Sequence, residues 1–100
     1  MNMQNMMKQV QKMQQDMMKE QEALQQKEFT KEAPGKVLTV TATGDKKITA
    51  LTLNEEVLNP EDKEMIEDVL LTTLNELFSE IDSETERVMG RFTRGMNLPF

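Results

Sequence analysis

The chain has 100 residues, 37% apolar and 30% charged, a balance that suits one small globular domain and excludes both a membrane protein and a wholly disordered chain. It has no cysteine and no histidine, which rules out a disulfide scaffold, a thiol nucleophile and the commonest general base and metal ligand. The formal net charge of −6 is unevenly spread: residues 1–36 hold six lysines against five acids, residues 37–53 hold Lys46 and Lys47 against Asp45, residues 54–86 hold twelve acids with only Lys63, and residues 87–100 hold Arg87, Arg91 and Arg94 with no acid.

The opening MNMQNMMKQV is broken by Gln, Asn and Lys in every apolar run, so it does not read as a secretory signal. No stretch reaches the roughly 20 apolar residues that a bilayer span needs. The expected location is the cytoplasm.

From Asn2 to about Gln26 the sequence lacks Gly and Pro and is dense in Gln, Met, Lys and Glu, which predicts one long helix within residues 1–27. Its apolar residues Met3, Met6, Val10, Met13, Met17 and Leu24 step by three and four, with Glu20 at the single polar break. That is a heptad seam, widened by Met7 and Met18. Copper binding by the thioethers has no His or Cys to support it, and a membrane-surface helix would need more aromatic anchors and more positive charge. Helix packing is the expectation, since methionine adapts well to interfaces.

Residues 28–53 then alternate Val, Ile, Leu and Thr around the breakers Pro34-Gly35 and Thr43-Gly44-Asp45. They predict three antiparallel strands, Glu28–Ala33, Lys36–Thr43 and Lys47–Leu53. Gly44 is expected to supply the positive φ of a tight hairpin. Leu38, Val40 and Ala42 share one face of the middle strand, and that face is expected to pack on a helix.

Asn59-Pro60-Glu61-Asp62 reads as a helix start, with Asn as cap and Pro in the first turn. The helix is expected over residues 59–92, with Ile66, Leu70, Leu74, Leu77, Ile81, Val88 and Phe92 at helical spacing and Gly90 fraying its end. Residues 93–100 are expected to be an irregular tail. The fold class is therefore α+β, a single domain of order α-β-β-β-α. At about 1.5 Å per residue the two helices run roughly 37 and 50 Å, whereas a typical strand covers about 20 Å. Both helices overhang the sheet with their apolar stripes uncovered, which predicts a homodimer joined through Met3, Met6, Val10, Met13, Met17 and Leu24.

The acids Glu55, Glu56, Glu61, Asp62, Glu64, Glu67 and Asp68 lack the alternating ligands and central Gly of a calcium loop and read as a solvated face. Ser79 and Ser83 have no neighbouring base. The pattern predicts no catalytic residue, no cofactor, no metal and no small-molecule substrate. Lys8 and Lys12, four apart on one helix face, and Arg87, Arg91 and Arg94 at the far end of the other form the cationic constellation. A two-fold dimer would double each patch, as suits a grip on duplex phosphates.

Residues 3–14 (MQNMMKQVQKMQ), 58–65 (LNPEDKEM) and 95–100 (GMNLPF) together resemble the YbaB/EbfC family of bacterial nucleoid-associated proteins, in order and over essentially the whole chain. The resemblance implies a tweezer-like homodimer that binds duplex DNA with little sequence preference and organises the nucleoid or affects expression. It also implies that Lys8 and Lys12 fall among the basic residues of the first helix, and Arg87, Arg91 and Arg94 at a basic helix end. The overall acidity departs from that pattern and predicts weak, salt-sensitive binding. The alternative is a protein-interaction adaptor that binds another protein through the acidic helix or the methionine-rich groove.

Overall fold

Asn2 starts the first helix, its side-chain Oδ1 accepting the Gln4 N–H at 3.0 Å, which satisfies one of the amides a helix leaves open at its start. In the computed structural model, which describes residues 2–95, this helix, α1, spans Met3–Gln26. Strands β1 (Glu28–Glu32), β2 (Leu38–Thr43) and β3 (Ile48–Leu53) follow, and helix α2 (Lys63–Gly95) closes the order. Short 3-10 turns at Pro34–Lys36, Glu55–Val57 and Pro60–Asp62 join them. The α-β-β-β-α order and the antiparallel sheet β1-β2-β3 are those expected.

The sheet register explains which face is buried. Phe29 lies opposite Ala42 and Lys31 opposite Val40, while Val40 lies opposite Leu51 and Leu38 opposite Leu53. Directly opposed residues share a face, so all of these side chains point to the α2 side. There Leu38, Val40 and Ala42 are fully buried with Leu77 and Ile81 of α2. Phe29, Leu53, Leu70, Leu74 and Phe78 pack around them.

Ion pairs show how α2 lies across the sheet. On one flank Glu80 and Glu76 reach Lys31 of β1 at 2.8 and 3.8 Å. On the other, Asp82 reaches Lys46 in the β2–β3 turn at 2.6 Å. Leu71, Phe78 and Asp82 share that second flank by helical spacing, so Leu71 is on the β3 side. The helix covers β1 and β2 and leaves β3 open: Leu51 is 45% and Leu71 64% exposed.

Three local expectations are corrected. Gly44 does not have positive φ; the left-handed residue of the β2–β3 turn is Lys46, at φ 63°. Gly44 is needed for space instead, because a Cβ there would lie 1.7 Å from the Leu24 carbonyl oxygen. Its N–H donates to the Lys27 carbonyl at 3.0 Å, so the turn is clamped against the end of α1. Asn59 does not cap with its side chain, which lies 3.5 Å from the Glu56 carbonyl; the 3-10 turn of Pro60–Asp62 leads into α2 at Lys63. Finally, α2 passes through Gly90 and the expected end at Phe92 to reach Gly95, so residues 93–95 are helical and not irregular. Residues 96–100, the rest of the expected tail, lie outside the described residues.

The molecule measures 71 × 24 × 16 Å with a radius of gyration of 19.8 Å, well above the ~13 Å of a compact 100-residue domain. Gly44→Ala is expected to destabilise the protein by about 2 kcal/mol or more in urea unfolding, because a backbone atom must move. Gly90→Ala, where an added Cβ meets nothing within 4 Å, is expected to stabilise by about 0.5–1 kcal/mol through helix propensity.

Candidate nucleic-acid interface

Helical spacing divides α1 into two faces. Met13, Met17, Glu20 and Leu24 lie on the side towards α2; the first three are half-buried and Leu24 is buried. The stripe is therefore split. Met3 (76% exposed), Met6 and Val10 keep open surface on the free outer half of the helix, with Met7 beside them; Met18 is exposed on the inner half. Leu24, expected in the dimer seam, is enclosed by its own chain, because Gly44 brings the β2–β3 turn up under it. The polar break at Glu20 also has an intrachain cause, a 3.0 Å hydrogen-bonded ion pair with Arg91 of α2.

The five cationic candidates fall into different surroundings. Arg87 hydrogen-bonds Glu84 through Nε at 3.0 Å and through its terminal nitrogen, and Lys27 stands 3.7 Å from the same carboxylate. The Arg87 hydrogen bond, opposed by some desolvation and helped by the charges of Arg87 and Lys27, holds the Glu84 carboxyl below its usual range. Arg91 is held by Glu20 and lies over the Phe92 ring at 4.7 Å. It also lines an open cleft between the helices together with Gln9, Lys12, Met13, Asp16 and Phe92. The structure thus brings Lys12 and Arg91 to one cleft. Arg94 falls on the last turn of α2, and its side chain lies outside the described structure.

Lys8 and Lys12 are exposed. Among the described residues, no ion pair involves Lys8, Lys12, Lys19 or Lys36, whereas Lys27, Lys31, Lys46, Lys47 and Lys63 are each paired to a carboxylate. The Glu80 hydrogen bond and charge raise the Lys31 pKa further above its ordinary value, against a smaller desolvation effect. Lys19 is the site residue that sequence reading passed over. At spacings of four and seven, Lys8, Lys12 and Lys19 fall on one side of α1 over about 17 Å of helix, roughly opposite the stripe that meets α2. Its adjacent acids, Glu20 and Glu22, hid it; the spacing from Lys12 was the available signal.

Among the described residues, no cluster of three or more acidic side chains could hold a metal ion, and no helix is long and apolar enough to cross a membrane. Glu76, Glu80, Asp82 and Glu84 of α2 act locally, towards Lys31, Lys46, Lys27 and Arg87.

Comparison with known proteins places this arrangement. An uncharacterised protein of Helicobacter pylori has the same fold, with a TM-score of 0.74 over 93% of this chain and 98% of that one at 17% identity. A nucleoid-associated protein of Enterococcus faecalis is 47% identical over 95% of this chain and 91% of its own length. One of Listeria monocytogenes is 49% identical over 98% and 93% respectively. The sequence profile of the YbaB/EbfC DNA-binding family, a DNA-binding family and not a class of enzymes, matches residues 1–96. With helix, sheet and helix in the same order and near-complete coverage of its bacterial relatives, this chain belongs to the YbaB/EbfC family of nucleoid-associated proteins.

Proposed function

We propose that this protein binds duplex DNA in the nucleoid as a homodimer with little sequence preference. The observation that carries the reading is the row Lys8, Lys12 and Lys19, exposed on one side of α1 and outside every ion pair among the described residues, where five of the other six lysines are each paired to a carboxylate. It stands beside family membership and the names of the relatives. Lysine ammonium groups meet phosphates as point charges, and phosphate contacts carry no sequence information. A two-fold axis would double the row. Arg91, sharing a cleft with Lys12, extends it towards α2, and Arg87 and Arg94 follow along that helix.

A second copy is supported by two uncovered apolar surfaces. One is the outer stripe of α1, Met3, Met6 and Val10, continued by the half-buried Met13 and Met17. The other is the trough between β3 and α2, with Ile48, Leu51 and Leu71 exposed beside an outer strand edge. Open apolar strand edges favour association, and soluble monomers seldom leave such surfaces bare.

Two measurements test these statements. In titrations of random-sequence duplex DNA, the Lys8→Ala, Lys12→Ala, Lys19→Ala triple variant is expected to bind more weakly on every sequence. Its log affinity should also fall less steeply with log salt, by about 0.9 for each phosphate that the variant no longer neutralises. Unchanged affinity removes the row from the interface. By sedimentation the wild type is expected to be a dimer at micromolar concentration. Met6→Glu with Val10→Glu, and separately Leu51→Glu with Leu71→Glu, should identify the seam, since charge buried there without a partner is costly. A monomeric wild type overturns the dimer, and dimers in both variants overturn both surfaces.

A further inference from the structure

Arg91 is the cation of the candidate interface whose partner comes from the other helix. Its guanidinium donates to the Glu20 carboxylate at 3.0 Å across 71 residues of sequence, while the two side chains remain 58% and 42% exposed. Arg87 differs: its partner Glu84 lies on its own helix, is only 22% exposed and is shared with Lys27. A guanidinium offers carboxylate and phosphate the same fork of donors, so a DNA phosphate can take the place of Glu20. The exchange is easy because exposed ion pairs are weak. It is also productive, since Arg91 and Lys12 line one open cleft between α1 and α2. Asp16 lines the cleft as well and lies four residues before Glu20. At rest Arg91 is therefore held by Glu20, while Lys12 and Asp16 line the cleft outside every ion pair among the described residues.

We propose that Glu20 is a built-in competitor for DNA: its carboxylate holds Arg91 when no duplex is present, and a phosphate must displace it for Arg91 and Lys12 to act together. This inference rests on the DNA-binding reading above. It accounts for the one polar residue in the methionine stripe, and it makes Glu20 a positioning residue that acts through Arg91.

The test is anisotropy titration of a labelled random-sequence duplex by wild type and by E20Q, E20D, E22Q, R91A and E20Q/R91A at several salt concentrations. Glu22 is exposed on the same helix and, among the described residues, has no ion pair, so E22Q reports the effect of charge alone. E20Q is expected to bind about three- to fivefold more tightly than wild type, the release of an exposed pair, with a log–log salt slope close to that of wild type, because Arg91 neutralises a phosphate in both complexes. E22Q should gain less and leave the slope unchanged. E20D keeps the charge but withdraws the carboxylate, and should fall between wild type and E20Q. In the R91A background the E20Q gain should shrink to that of E22Q. Equal gains from E20Q and E22Q, or a gain that survives R91A, overturn the competitor role while leaving DNA binding intact. Absence of binding by every protein in the series overturns the DNA-binding reading itself.

Discussion

The structure depends on one contact surface, the inward face of β2 against α2. Leu38, Val40 and Ala42 alternate on a strand that has a neighbour on each side, and Leu77 and Ile81 complete the enclosure from above. This core is small, and a short chain has little other apolar area to draw on. Its placement decides the rest. Once α2 lies over β1 and β2, its acids stand above Lys31 and Lys46, its far end stands beside α1, and β3 is left with one side of its apolar face uncovered.

Charge follows from that placement. The middle of the chain is strongly acidic by sequence, which alone would argue against a polyanion as partner. In three dimensions four of those acids, Glu76, Glu80, Asp82 and Glu84, reach Lys31, Lys46, Lys27 and Arg87, so part of the negative charge is matched locally. Among the described residues, Lys8, Lys12 and Lys19 on one side of α1 enter no ion pair. An acidic protein can thus carry a locally basic helix face, and it is the local potential within about a Debye length, ~10 Å at ordinary salt, that a phosphate backbone meets.

α1 plays two parts along its length because the body of the protein is shorter than the helix. Its inner half packs on α2 and ends at the Gly44 clamp; its outer half projects. The same stripe that looks continuous in sequence therefore changes role near Met13, from contact within the chain to surface open to a partner. Glu20 sits in the packed half, and its ion pair with Arg91 fastens the two helices where the apolar stripe is interrupted.

Sequence alone determined the local physics. Periods of 3.6 and 2 and the Pro and Gly breakers are written in neighbouring residues, so the order of elements, the antiparallel sheet and the buried face of β2 could be read directly. The motifs at residues 3–14 and 58–65 likewise pointed to the family. Tertiary structure decided everything that depends on residues far apart in the chain. That Leu24 is enclosed, that Gly44 is a matter of space and not of φ, that Arg91 is held by Glu20, and that, among the described residues, Lys19 enters no ion pair while Lys31 is paired all follow from where α1, α2 and the sheet meet. No pattern of neighbours encodes such crossings, because they are set by the summed packing of several elements at once.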